Sequence, residues 1–261
     1  MPRLRPRPNG LLRLLPHGPL DVVRQVLLFY ACYHGYSIVR GLADNPGAAQ
    51  TAFENARGVI SVEQTLNIFV EPAIQSWTMG SGLLMDSLSW VYVNAQTSVT
   101  VGALVYIYLR HNRSFYFVRN MMIVAMLLAI VGYVLYPTAP PRFFPEWGFF
   151  DSVSDFAGVE TSNTQVDTLF NPYAAIPSMH VAFSLMIGWS LARLVTPRAL
   201  KLAWALYPLL VTYVIVATAN HFFMDAFAGA TVAAVAALAA RELGRARPMA
   251  WRFGPRAAVS S

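Results

Sequence analysis

The chain contains a single cysteine, Cys32, among 261 residues. That excludes an internal disulfide and any cysteine-cluster metal site. Charge is scarce too. Asp, Glu, Lys and Arg together supply 12% of the residues, where a soluble domain has roughly 25%. Lysine is reduced to Lys201 alone. There is no glycine-rich nucleotide loop, no internal repeat and no stretch that reads as an independent soluble domain. The histidines, His17, His34, His111, His180 and His221, lack ligand spacing, so neither a metal nor any other cofactor is expected. What is abundant is apolar: 56% of the residues are hydrophobic and mean hydropathy is +0.46. This is the composition of an integral membrane protein.

Six apolar stretches read as spans, at 20–40, 88–109, 115–136, 179–195, 200–218 and 222–240. Crossing takes about 20 residues, with about 17 as a lower limit. The expected fold is an all-α six-transmembrane-helix bundle with an external amphipathic helix and a long external loop. Residues 1–19 form a basic leader with no clear cleavage site, read as retained in the cytoplasm. Residues 20–240 form one catalytic membrane domain with external segments 41–87 and 137–178. Residues 241–261 form a basic cytoplasmic tail. With the N-terminus inside, all but Arg40, Arg57 and Arg142 of the 19 basic residues fall on the cytoplasmic side. That asymmetry obeys the positive-inside rule, and an even number of spans returns the basic tail to the same side. The net charge of +6 is therefore topology and not a nucleic-acid footprint.

Two short motifs sit at the mouths of apolar stretches: Pro177-Ser178-Met179-His180 and Asn220-His221-Phe222-Phe223-Met224-Asp225. Ionisable residues near a bilayer are costly and mark function by default. His221 and Asp225 are four apart and share a helix face. The carboxylate can bond one ring nitrogen and leave the other free to attack. Pro177 suits the first turn of a helix, whose free N–H groups around Ser178 and His180 make an anion site suited to phosphate. Arg142, in Pro137-Thr138-Ala139-Pro140-Pro141-Arg142, follows the third span. The topology puts all three segments on the extracytoplasmic face. The residues by themselves describe a histidine nucleophile, a second histidine as acid and a phosphate cradle.

At these residues the chain resembles the type-2 phosphatidic acid phosphatase superfamily, most closely its inositol phosphorylceramide synthase-like branch. The resemblance covers about residues 88–240. Pro177-Ser178-Met179-His180 is similar to the family's Pro-Ser-x-His motif, and His221 to Asp225 is similar to its closing His-x-x-x-Asp. It implies a six-helix core and metal-independent phosphoryl transfer. His221 would be the nucleophile, Asp225 its orienting partner and His180 the acid for the leaving oxygen. Many members of the branch are bacterial, which implies a bacterial plasma membrane. Two departures stand out. Where the phosphatase form has Ser-Arg ahead of the last histidine, this chain has Val214 and Ile215. Where the first motif has a lysine, then an arginine-proline pair, this chain has Leu135 and then Arg142-Phe143. Pro-x-Ala-Pro-Pro-Arg resembles the synthase-like branch, so Arg142, with Ser178, is expected to bind phosphate. The loss of the other cations raises the weight of transfer to a hydroxyl over hydrolysis.

Other residues have blander readings. Residues 59–77 carry an apolar stripe opposite Gln64, Glu71 and Gln75, which fits a helix on the membrane surface or one packed on the external domain. Glu63, Glu71 and Gln75 then read as its wet face. Asn220 and Asn171 read as turn residues, and His34 as a buried, satisfied polar group. Asn94, Gln96, Thr97 and Ser98 read as bonds between helices, and the Arg110–Arg119 cluster as topology. The expected partners are the bilayer and a lipid phosphate or phospholipid. A rival reading, a transporter or scaffold, predicts charges deep within spans, whereas Arg142, His180 and His221 lie at span ends.

Overall fold

The computed structural model describes residues 15–42, 46–157 and 173–246. The leader before residue 15, the tail after 246 and Asn171 lie outside the described residues. The elements are α1 (Pro19–Leu42), α2 (Pro46–Thr65), α3 (Glu71–Met79), α4 (Gly82–Arg110), α5 (Asn112–Leu135), α6 (Ser152–Ala157), α7 (Met179–Leu194), α8 (Arg198–Ala217) and α9 (Phe223–Ala246). Two single 3₁₀ turns, Pro141–Phe143 and Pro145–Trp147, follow α5. Among the described residues there is no strand, only one isolated bridge between Thr138 and Ala174.

The protein is an all-helical membrane protein. Among the described residues, α5, α8 and α9 are long and apolar enough to cross a bilayer. α7 is apolar but has 16 residues, short of the usual span. Each of the six predicted spans coincides with a helix, α1, α4, α5, α7, α8 and α9, with ends shifted by a few residues. The core is the packing of α7 on α8 and α9 and of α5 on α9, with α1 laid against α5. Met121, Met122, Ala125, Ala129, Ala182, Met186, Ile187 and Ala236 fill it. Small residues let these helices approach closely, as is usual where packing and not water drives association.

Four sequence readings change here. The predicted helix at 59–77 is broken: α2 ends at Thr65 and α3 starts at Glu71, with Asn67 at φ 57 turning the chain. Asparagine tolerates that conformation better than most residues. The polarity is inverted in part: Val59 stays buried and Gln64 exposed, but three polar residues turn in. Glu63, Glu71 and Gln75 are buried, while Trp77 is 72% exposed and Leu66 and Val62 face outward. The polar residues have partners inside, so they turn in. Second, His34 is exposed, against the ring of Tyr30 at 4.0 Å. Third, Thr97 and Ser98 are exposed, and Asn94 donates to Trp90 O in its own helix. Fourth, Arg119 is buried, unlike Arg110 and Arg113. It donates to Gln25 Oε1 at 2.6 Å and Asn120 Oδ1 at 2.7 Å, and Gln25 and Tyr108 both donate to Asp21. This network ties α1 to α4 and α5 and satisfies a cation that would otherwise be too costly to bury.

Candidate active site

α8 ends in a turn that delivers His221. Asn220 N–H donates to Ile215 O and Ala219 N–H to Val216 O, the paired bonds of a Schellman close. Ala219 takes the left-handed position at φ 52, where glycine is the usual occupant. His221 follows at once, and α9 starts two residues later. Nδ1 of His221 lies 3.1 Å from Asp225 Oδ2, and the same oxygen accepts from Phe222 N–H at 2.9 Å. Asp225 is fully buried and His221 only 6% exposed. Burial, aided by the charge of Arg142 and opposed by a backbone hydrogen bond at Ala175, lowers the His221 pKa to about 3. The ring is therefore neutral at physiological pH, the form that carries a nucleophilic lone pair.

His180 comes from the start of α7. Ser178 is the cap, and its hydroxyl accepts from Val181 N–H at 3.5 Å. Pro177 therefore stands one residue before the cap and not inside the first turn. The Ser178 N–H donates to Asp225 O at 3.0 Å, so it holds the two motifs together and does not face the cavity. Tyr133 reinforces the turn by donating to Pro177 O at 3.1 Å. Two glycines admit it. A Cβ on Gly229 would lie 2.2 Å from Ser178 O, and one on Gly132 would lie 2.5 Å from Pro177 Cδ. The His180 ring stacks on Tyr92 with centroids 4.6 Å apart and meets the His221 ring edge to face at 5.5 Å.

Arg142 arrives from the loop after α5. Its N–H donates to Ala219 O at 2.9 Å, and its guanidinium bonds Asn220 Oδ1. Nε lies 3.6 Å from Asp151 Oδ2, and the group sits over the Phe143 ring. Asn220 is thus a buried turn residue that also fixes Arg142. Arg142, His180 and His221 line one cavity of about 320 Å³, together with Tyr92, Asn220 and Tyr33. Val214 and Ile215 are buried in α8, and Lys201 sits near the start of that helix, at the end away from His221.

The turn between α8 and α9 rests on residues that the sequence presented as a wet face. Glu63 Oε1 accepts from Met224 N–H at 2.8 Å and Glu71 Oε1 from Phe223 N–H at 3.0 Å. Gln75 donates to Phe150 O at 2.8 Å and accepts from Phe150 N–H at 3.0 Å, which steadies the loop bearing Asp151. The only sequence signal was the four- and eight-residue spacing of these polar groups. An exposed polar stripe has that same spacing.

The arrangement brings together a neutral imidazole oriented by a buried carboxyl group, a second imidazole beside it and one guanidinium, parts that phosphoryl transfer can use. Among the described residues, no group of three or more His, Cys, Asp or Glu is placed to hold a metal. A family model described as PAP2 superfamily matches residues 57–239. Neither the curated proteins nor the solved structures offer a match.

Proposed function

Since the chain belongs to the PAP2 superfamily, we propose that it is a membrane lipid-phosphate phosphoesterase or phosphotransferase working through a phosphohistidine, with its site on the extracytoplasmic face. The observation that carries this reading is the meeting of Arg142, His180 and His221, far apart in the chain, around one cavity. The His221 ring nitrogen not held by Asp225 attacks phosphorus and forms the N–P bond. The ester P–O bond breaks, and His180 gives its proton to the departing alkoxide. The cationic phosphohistidine ring is stabilised by Asp225. Arg142 and the N–H groups opening α7 offset charge on the equatorial oxygens. Water or a second hydroxyl, deprotonated by His180, then attacks phosphorus and releases His221.

An apolar groove of about 550 Å³ supports the lipid part of the reading. It runs between α1, α4 and α5 past Val26, Phe29, Val101 and Leu104. It shares Tyr33 and Thr97 with the cavity at the histidines, so a headgroup at His221 leaves a tail in reach of the groove.

The test is to incubate purified protein with a panel of labelled lipid phosphates, with and without polyol acceptors, and identify the products. Release of inorganic phosphate names a phosphatase, and a new phosphodiester or phosphomonoester of the polyol names a transferase. Turnover is expected to persist in EDTA and to be blocked by vanadate, which mimics five-coordinate phosphorus. Loss of activity in EDTA that a divalent ion restores would overturn the mechanism.

A further inference from the structure

We propose that Glu63 and Glu71 act as one carboxyl pair that caps the first turn of α9 and so positions His221 and Asp225. The proposal rests on the phosphoryl-transfer reading only for its kinetic consequence. The geometry is independent of it. The first N–H groups of a helix have no partner within the helix. At the entry to α9 three buried carboxyls take the N–H groups: Asp225 that of Phe222, just before the helix, Glu71 that of Phe223 and Glu63 that of Met224. These are the residues between His221 and Asp225, so the two glutamates grip the backbone that sets the distance between nucleophile and partner. Both reach across from α2 and α3, more than 150 residues away in the chain, and both are fully buried.

Two carboxylates side by side without water repel each other unless a proton is shared. The Glu63 carboxyl lies within hydrogen-bonding reach of the Glu71 carboxyl. Oε2 of each is buried with no donor among the described residues, and a proton held between the carboxyls meets that need. Burial, then the bond to Glu71 and its charge, raise the Glu63 pKa to about 9. The Met224 N–H opposes this and Asp225 adds to it. Glu71, across from it on α3, and Asp225 on α9 are the ionisable groups that act on Glu63. Below that pH Glu63 keeps its proton and the cap stays closed. Above it the charge on Glu63 opens the pair.

The test uses the full chain in detergent with a labelled long-chain lipid phosphate as probe. Deuterium exchange of the 219–227 segment is measured beside turnover. Glu63→Ala is expected to speed exchange in that segment and lower kcat about 10²-fold, the cost of a misplacement of about 1 Å, with KM little changed. Glu63→Gln is expected to restore protection and most of the lost turnover, because an amide N–H can replace the shared proton. The wild-type kcat should fall as pH rises through about 9, and Glu63→Gln should lack that fall. Unchanged exchange and kcat in Glu63→Ala would overturn the proposal. So would a loss of kcat with exchange unchanged, or an alkaline fall that persists in Glu63→Gln. If the wild type turns over no lipid phosphate while exchange still responds to Glu63→Ala, the cap stands and the phosphoryl-transfer reading falls.

Discussion

The roles proposed for His221 and Arg142 differ, and substitution separates them. His221→Ala is expected to abolish turnover while leaving the protein folded. Asp225→Asn should be nearly as severe, because an amide cannot stabilise the cationic ring. Both are checked by single-turnover phosphate release together with a melting curve. Near-wild-type turnover in His221→Ala would remove it as nucleophile. Arg142 is held by Asn220, Asp151 and the Phe143 ring, so its fork is pre-set. A guanidinium can grip two phosphate oxygens, whereas an ammonium is a point charge. Arg142→Lys is expected to lose much of kcat, and Arg142→Ala more, about 10²–10³-fold in total. Arg57 is exposed over the Phe144 ring, and Arg57→Ala should cost far less. A damaging Arg57→Ala with a mild Arg142→Ala would reassign the phosphate site. The sequence marked Arg142, His180, His221 and Asp225 because rare polar residues at the ends of apolar stretches are conspicuous. It gave no such mark to Asn220 or Asp151, whose roles exist only because the chain folds them onto Arg142.

The elements are joined at points where backbones nearly touch. α9 passes Ser178 so closely that a Cβ on Gly229 would overlap its carbonyl oxygen. The Ser178 N–H bond to Asp225 O spans the same contact. Gly229→Ala is therefore expected to push α7 from α9. Overpacking of this kind costs about 1–3 kcal/mol, read as a lower melting temperature in detergent, with loss of kcat from the shift of His180 relative to His221. A stability equal to wild type would show that the approach is looser than it looks. The pair at Glu63 sets a pH trend at this scale. Its folded pKa lies above its unfolded value, so its contribution is full below about 4.5 and is lost as pH rises through about 9. Melting temperature should fall over that window in the wild type and less in Glu63→Gln. Equal slopes in the two proteins would remove Glu63 as the cause.

For the whole molecule, thiol labelling tests the proposed placement of the site on the extracytoplasmic face. Cys32 must first be replaced, since it is a free thiol. Glu146→Cys, at an exposed position near Arg142, is expected to react with an impermeant thiol reagent in intact cells. Arg113→Cys and Arg198→Cys, also at exposed positions, should react only after permeabilisation. The opposite pattern would turn the molecule over and move the substrate to the inner leaflet.

Composition, periodicity and two short motifs by themselves determined the membrane class, the positions of the long helices and the site candidates His180, His221, Asp225, Arg142 and Ser178. Those features are local: apolar length, helical spacing and the rarity of charge can be counted along the chain. Tertiary structure decided which way the polar stripe of α2 and α3 faces. Periodicity locates a stripe but not its neighbour, and Glu63, Glu71 and Gln75 turned inward because backbone N–H groups near α9 and Phe150 needed acceptors. It also decided that Ser178 spends its N–H on Asp225 and that Arg119 is buried on Gln25 and not displayed at a surface. Each of these depends on a partner distant in sequence, and a hydrogen bond that satisfies a buried group is invisible until both halves are folded together.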